Sequence, residues 1–314
     1  MVAEQSLFKQ IKSILYLVLS VFCLTSFVTP PIALFLGLIF SLVLGTPFKE
    51  FNKESSKYLL QISVGGLGFG MNLQDSFRAG SDGMLFTLFS VISVMILGIM
   101  LGKILKVADI SSYLISSGTA ICGGSAIAAV GPIAKASESE MSISLATIFV
   151  LNAIALFLFP VLGHWLNLTQ HQFGLWAAIA IHDTSSVVGA GATYGEEALK
   201  VATTVKLTRA LWIIPLSIFT SFYFKSKEDK VVIPWFILFF IVAMVVNTYF
   251  AIPAKITHGI VSVARQSLTM TLFFIGAGLS RSVIKSVGLK PLFLGVTLWF
   301  FIAAISLVFI YFMY

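Results

Sequence analysis

The sequence predicts an all-α polytopic membrane protein of about 11 membrane elements, and three observations lead there. Hydrophobic residues make up 58% of the chain against 11% charged, with a mean hydropathy of +1.00. A soluble globule would have nowhere to put that apolar surface. Apolar stretches of about 20 residues, enough to cross a roughly 30 Å hydrocarbon core, recur along the whole chain with short polar gaps. Two further apolar stretches, residues 109–136 and 172–194, are interrupted at their centres by glycine and polar residues. They read as broken or re-entrant helices at the centre of a single transmembrane transporter domain spanning residues 1–314.

The first span, Ile11 to Val28, has a basic flank and resembles a signal peptide. Thr29-Pro30-Pro31 leads directly into another apolar run, so it reads as a retained span. The second, Pro30 to Leu44, opens on a proline pair suited to a helix start. A charged loop with Lys49, Lys53 and Lys57 follows. Span three, Tyr58 to about Leu73, carries Gly65, Gly66, Gly68 and Gly70, which suit close helix packing. Span four is Gly83 to Leu105. After the first broken element come span six, Met141 to Leu162, with a central Asn152 suited to an interhelical hydrogen bond, and then the second broken element. Span eight, Leu199 to Phe224, contains Lys206 and Arg209 and is expected to kink at Pro215. Val232 to Phe250, Ile260 to Leu279 and Pro291 to Met313 complete the series.

The first interruption reads DISSYLISSGTAICGGSAIAAVGPIAKA, with Thr119 to Ser125 at its centre; the second places His182-Asp183-Thr184-Ser185-Ser186 inside an apolar run. Backbone polar groups in hydrocarbon must be satisfied internally, so irregular backbone at that depth needs a protein or aqueous cover. Half-helix ends meeting at midplane are how transporters build ion and anion sites. The competing explanation of the first stretch is a small-residue helix interface.

The chain ends resemble each other. Pro31 to Phe48 aligns with Pro234 to Phe250, and Gly68-Phe69-Gly70-Met71 with Gly276-Ala277-Gly278-Leu279. Spans two to four thereby match nine to eleven, within a repeat of spans 1–4 and 8–11. The copies are offset by an odd number of crossings whether the broken elements cross or turn back, so they are inverted in the membrane. Basic residues concentrate in the loops around Lys49–Lys57, Lys103–Lys106, Lys225–Lys230 and Arg281–Lys290. The positive-inside rule then places the N-terminus in the cytoplasm and the C-terminus outside. The net charge of +7 is accounted for by these loops and calls for no nucleic-acid partner.

Ionisable residues within the membrane are functional candidates. Asp183 lies near the middle of its element beside His182. Lys206 and Arg209 are three apart, on adjoining parts of one helix face. At 1.5 Å per residue, Arg209 is roughly 14 Å and Lys206 roughly 9 Å below the Lys200 end. Structural alternatives exist for each: Lys206, and less readily the deeper Arg209, snorkelling to the interface, Arg209 paired with Asp183, and His182 as a satisfied buried histidine. The thiols Cys23 and Cys122 lie in apolar segments, and no metal, nucleotide or cofactor motif is present.

The motifs Gly118 to Ala129, Ile181 to Val188, Val205-Lys206-Leu207-Thr208-Arg209, Phe274-Ile275-Gly276-Ala277-Gly278 and Leu289-Lys290-Pro291-Leu292 resemble the YeiH-type sulfate exporter family of bacterial inner-membrane proteins. The resemblance covers nearly the whole chain and implies a multi-pass transporter of a small anion, sulfate or a related sulfur oxyanion. The expected site uses Thr119, Gly123, Gly124, Ser125, Thr184 and Ser185 with Lys206 and Arg209 for the substrate, and His182 with Asp183 for proton or cation coupling. A bilayer and a small anion are the expected partners, with a homodimer also compatible. An anion channel lined by the same residues and, further off, a membrane-embedded enzyme using His182 and Asp183 are the rival functions.

Overall fold

The computed structural model describes residues 2–25, 27–74, 84–224, 235–250, 252–278 and 288–313. Gly83, Lys225, Lys230, Val232, Pro234, Leu279 and Arg281, used above for spans, charge or repeat, lie outside those residues. Every regular element described is helical. In chain order these are α1 (Val2–Phe22), α2 (Pro30–Leu44), α3 (Lys49–Leu67) with a 3-10 turn (Gly68–Gly70), α4 (Met84–Leu105) and α5 (Asp109–Ala120). Then come α6 (Gly124–Ile133), α7 (Glu138–Trp165), α8 (Gln170–Ala180), α9 (Thr184–Tyr194), α10 (Glu196–Ala210) and α11 (Ile213–Tyr223). The last are α12 (Trp235–Tyr249), α13 (Ala254–Gly278) and α14 (Leu289–Met313).

Five spans among the described residues are long and apolar enough to cross a membrane: α4, α7, α10 running on into α11, α13 and α14. Several shorter apolar helices accompany them, α2 among them. Large apolar side chains face outward along these helices, such as Ile96, Met100 and Ile104 on α4. In water such a surface would aggregate; in hydrocarbon it is solvated.

The charged loop expected at Lys49 to Lys57 is instead the first half of α3. Lys, Glu and Ser raise no steric objection to helix, and Glu50 in the first turn complements the positive end of the helix dipole. The kink expected from Pro215 appears upstream, at Leu211 and Trp212 between α10 and α11. Pro215 has no N–H to return to the Leu211 carbonyl, which takes the Ile214 N–H at 3.1 Å instead.

The chain forms two compact units. One holds α1, α2, α3, α12 and α13. Here α2 and α13 approach through glycine on both sides. A Cβ on Gly37 would lie 2.1 Å from the Phe273 carbonyl oxygen, and one on Gly276 would lie 2.1 Å from that of Leu34. Neither position has room for a methyl group. Tyr16 is buried on Phe40 and Phe273 and donates its hydroxyl to Asn52 Oδ1.

The other unit holds α4 to α11 and α14. Ser112 Oγ donates to the Gly98 carbonyl at 3.0 Å, tying α5 to α4. Trp176 Nε1 donates to the Ala303 carbonyl at 2.9 Å, tying α8 to α14. Capping boxes fix the entries of two helices: Ser137 with Glu140 for α7, and Thr169 with Gln172 for α8. Each pairs a hydroxyl with the Glu or Gln three residues later. Cys23 and Cys122 are free thiols, each buried.

Candidate functional site

Both central elements are broken, one between α5 and α6 and one between α8 and α9. Each half has 10 to 12 residues, or about 15–18 Å at 1.5 Å per residue. That is roughly half the hydrocarbon core. The first break occupies Ile121 to Gly123. Ile121 leaves the helix at φ −122°, ψ −84°, and Gly123 turns the chain at φ 61°, ψ −123°, a conformation that glycine alone adopts without strain. A Cβ there would also stand 3.3 Å from the Asp183 Cβ and from the His182 carbonyl oxygen. The two breaks therefore touch.

The second break occupies Ile181 to Asp183, a little ahead of the expected run His182 to Ser186, because Thr184 already begins α9. Asp183 is the reason: its carboxylate is the N-cap. It accepts from the Ser186 N–H at 2.8 Å, from Ser186 Oγ at 2.9 Å and from the Ser185 hydroxyl. The amide of His182 is held by Asn152 Oδ1 from α7 at 3.0 Å, which gives the interhelical hydrogen bond expected of Asn152 a specific task.

Lys206 and Arg209 on α10 close the carbonyl ends of the preceding half-helices, α5 and α8. The Lys206 ammonium, with 0% exposure, donates to the carbonyls of Ile181 at 2.7 Å, Ile121 at 3.0 Å and Ala178 at 3.3 Å. Arg209, 1% exposed, donates to the Ala120 carbonyl and, at 3.2 Å, to Ser90 Oγ on α4. Carbonyl ends of helices carry partial negative charge and attract cations. Lys206 does not snorkel to the interface. Nor is Arg209 paired with Asp183: no ion pair joins Asp183 to either cation among the described residues.

The remaining candidates separate. Thr119 is buried in the last turn of α5 with its hydroxyl unpartnered, as are both ring nitrogens of buried His182 and the Nε of Arg209. Thr184 and Ser185 are buried in the first turn of α9. Gly124 is half-buried and opens α6, whereas Ser125 is exposed. No side chain caps the start of α6; the buried Cys122 thiol lies beside Ser125 and the Ala126 amide. Ser90 was not foreseen, since one serine within apolar α4 carries no signal of its partner.

A model described as conserved hypothetical protein 698 matches residues 7–295. The chain belongs to that family. Among members named UPF0324 membrane protein, one from Bacteroides thetaiotaomicron is 62% identical, over 92% of this chain and 88% of its own length. Another from Porphyromonas gingivalis is 58% identical, over 91% and 88% respectively. The UPF0324 membrane protein VP0936 of Vibrio parahaemolyticus is 49% identical over 91% and 94%. No solved structure matches the chain. Family and helices together make this a bacterial multi-pass membrane protein.

Proposed function

We propose that this chain is a secondary transporter carrying a small anion, sulfate or a related sulfur oxyanion, across the bacterial inner membrane by alternating access. The observation that carries this reading is the unequal filling of two helix starts at one crossing. The start of α9 holds its own anion, the Asp183 carboxylate. The start of α6 holds none, and two buried cations stand close by on α10. A helix N-terminus with glycine at its entry suits an oxyanion. Thr119, Gly123, Gly124 and Ser125 border that end, and Arg209 Nε and the Thr119 hydroxyl have donors to spare. Thr184 and Ser185 stand across the crossing, and His182 is the group left for proton coupling, because Asp183 is engaged as a cap.

The YeiH-type resemblance and the inverted relation of the outer spans support transport by alternating access, with the N-terminus cytoplasmic and the C-terminus extracytoplasmic. Sulfate should raise the melting temperature of the purified protein, the stabilisation growing with the logarithm of its excess over the dissociation constant. Arg209→Lys should weaken that shift by about tenfold in apparent affinity, as a planar fork becomes a point charge, and Arg209→Ala should remove it. Wild-type protein in proteoliposomes should show saturable sulfate counterflow. A folded Arg209→Ala protein with an unchanged sulfate shift defeats the assignment, and conductance at channel rates would make the same residues a pore.

A further inference from the structure

Lys206 has a geometry that its role as a positive charge does not require. An ammonium carries three donors, and all three are spent on backbone carbonyls: Ile181, Ile121 and Ala178, at 2.7, 3.0 and 3.3 Å. None is left for an anion. The three oxygens come from both broken elements, one from the end of α5 and two from the end of α8. Each belongs to a helix terminus or the unwound residue after it, where the carbonyl has no partner further along its own helix. Converging carbonyls of this kind replace the hydration shell of an alkali cation, and unwound carbonyls at half-helix ends coordinate sodium in transporters.

We propose that these three carbonyls form a monovalent-cation site that the wild-type chain fills with its own side chain, Lys206 serving as a tethered cation in place of sodium. The ammonium clamps the two half-helix ends together and neutralises both, so the crossing needs no cation from solution. Shortening the side chain opens the cage. Lys206→Ala leaves the oxygens facing space that a sodium ion can enter, whereas Lys206→Met keeps the space filled with an uncharged chain of similar length.

Melting temperature, followed at constant ionic strength as choline chloride is exchanged for sodium chloride, tests this without any anion substrate. The wild type should be indifferent to sodium. Lys206→Ala should melt at least about 4 °C lower in choline and regain most of that loss, saturably, as sodium is added. Lys206→Met should be destabilised and stay so. A folded Lys206→Ala that ignores sodium, lithium and potassium overturns the proposal. So does an Ala variant that cannot be recovered folded from sodium-containing buffer, where its cage ought to fill.

The consequence for coupling rests on the transport reading and has its own readout. Sulfate counterflow should be sodium-independent in the wild type and sodium-dependent in Lys206→Ala. Counterflow that requires sodium in the wild type would overturn the tethered-cation role. Absence of counterflow in every protein, with the sodium-dependent melting intact, would remove the transport reading and leave the cation site standing.

Discussion

At the first break, α6 starts on Gly123 with no side chain across its amides; at the second, α9 starts on Asp183, whose carboxylate takes an amide and two hydroxyls. The preceding half-helices share a different solution, their carbonyl ends both reached by cations from α10. Helix-end electrostatics is thus settled permanently at three of four termini, and the fourth is left to glycine. A terminus completed by the chain's own charge is a structural joint. One left open beside surplus positive charge is suited to a reversible occupant. The polar composition of the two breaks does not reveal this difference; the position of one carboxylate relative to one helix start does.

Variants that make the two breaks more alike test the distinction. The largest effect is expected from Gly123→Ala. A methyl at φ 61°, ψ −123°, with Ile148 Cγ2 at 3.2 Å and the second break at 3.3 Å, should cost about 3 kcal/mol of stability and abolish any sulfate-dependent melting shift. A variant with wild-type stability and an intact shift would show that the open terminus does not depend on its glycine.

Next is Asn152→Ala. It leaves the buried His182 amide without its 3.0 Å acceptor and should cost about 2 kcal/mol. The loss should appear as faster amide exchange at Ile181 to Asp183 than at Ile121 to Gly123. Equal acceleration at both breaks would mean that they open as one piece.

The smallest effect separates a cap from a coupling group. Asp183→Ala should cost about 1 kcal/mol, whereas Asp183→Asn, itself a good N-cap, should cost only a few tenths. If the carboxylate is purely a cap, Asp183→Asn retains sulfate counterflow and its pH dependence. Loss of counterflow at unchanged stability would return Asp183 to the coupling role expected from the sequence.

Much of the architecture was legible because hydrocarbon imposes simple rules. The span Pro30 to Leu44 coincides with α2, and both broken elements were marked by glycine and hydroxyl residues at mid-length. The charged start of α3 looks like a loop in the sequence, but its polarity ends only the apolar face and not the helix. At the site, the sequence marked residues that the two breaks and α10 place near one another, and left their partners open. Lys206 and Arg209 stood out as membrane-depth cations, yet Lys206 spends all three donors, and Arg209 one, on carbonyls, which belong to every residue and leave no trace in composition. The cap made by Asp183 was hidden for a related reason: an acidic residue at a helix entry and one poised for proton transfer look the same until the helix start is located.

Cys23 and Cys122 are both free and both buried, with 0% and 2% exposure. For labelling chemistry the folded chain is therefore close to thiol-silent on its surface, so an added cysteine can be read against the native background without first removing the other two. The exposed Ser125 is the natural place to begin. A cysteine there sits at the open helix start, and its rate of modification by a membrane-impermeant maleimide, applied from either face of oriented vesicles, would report which side of the bilayer that start faces as solution conditions change.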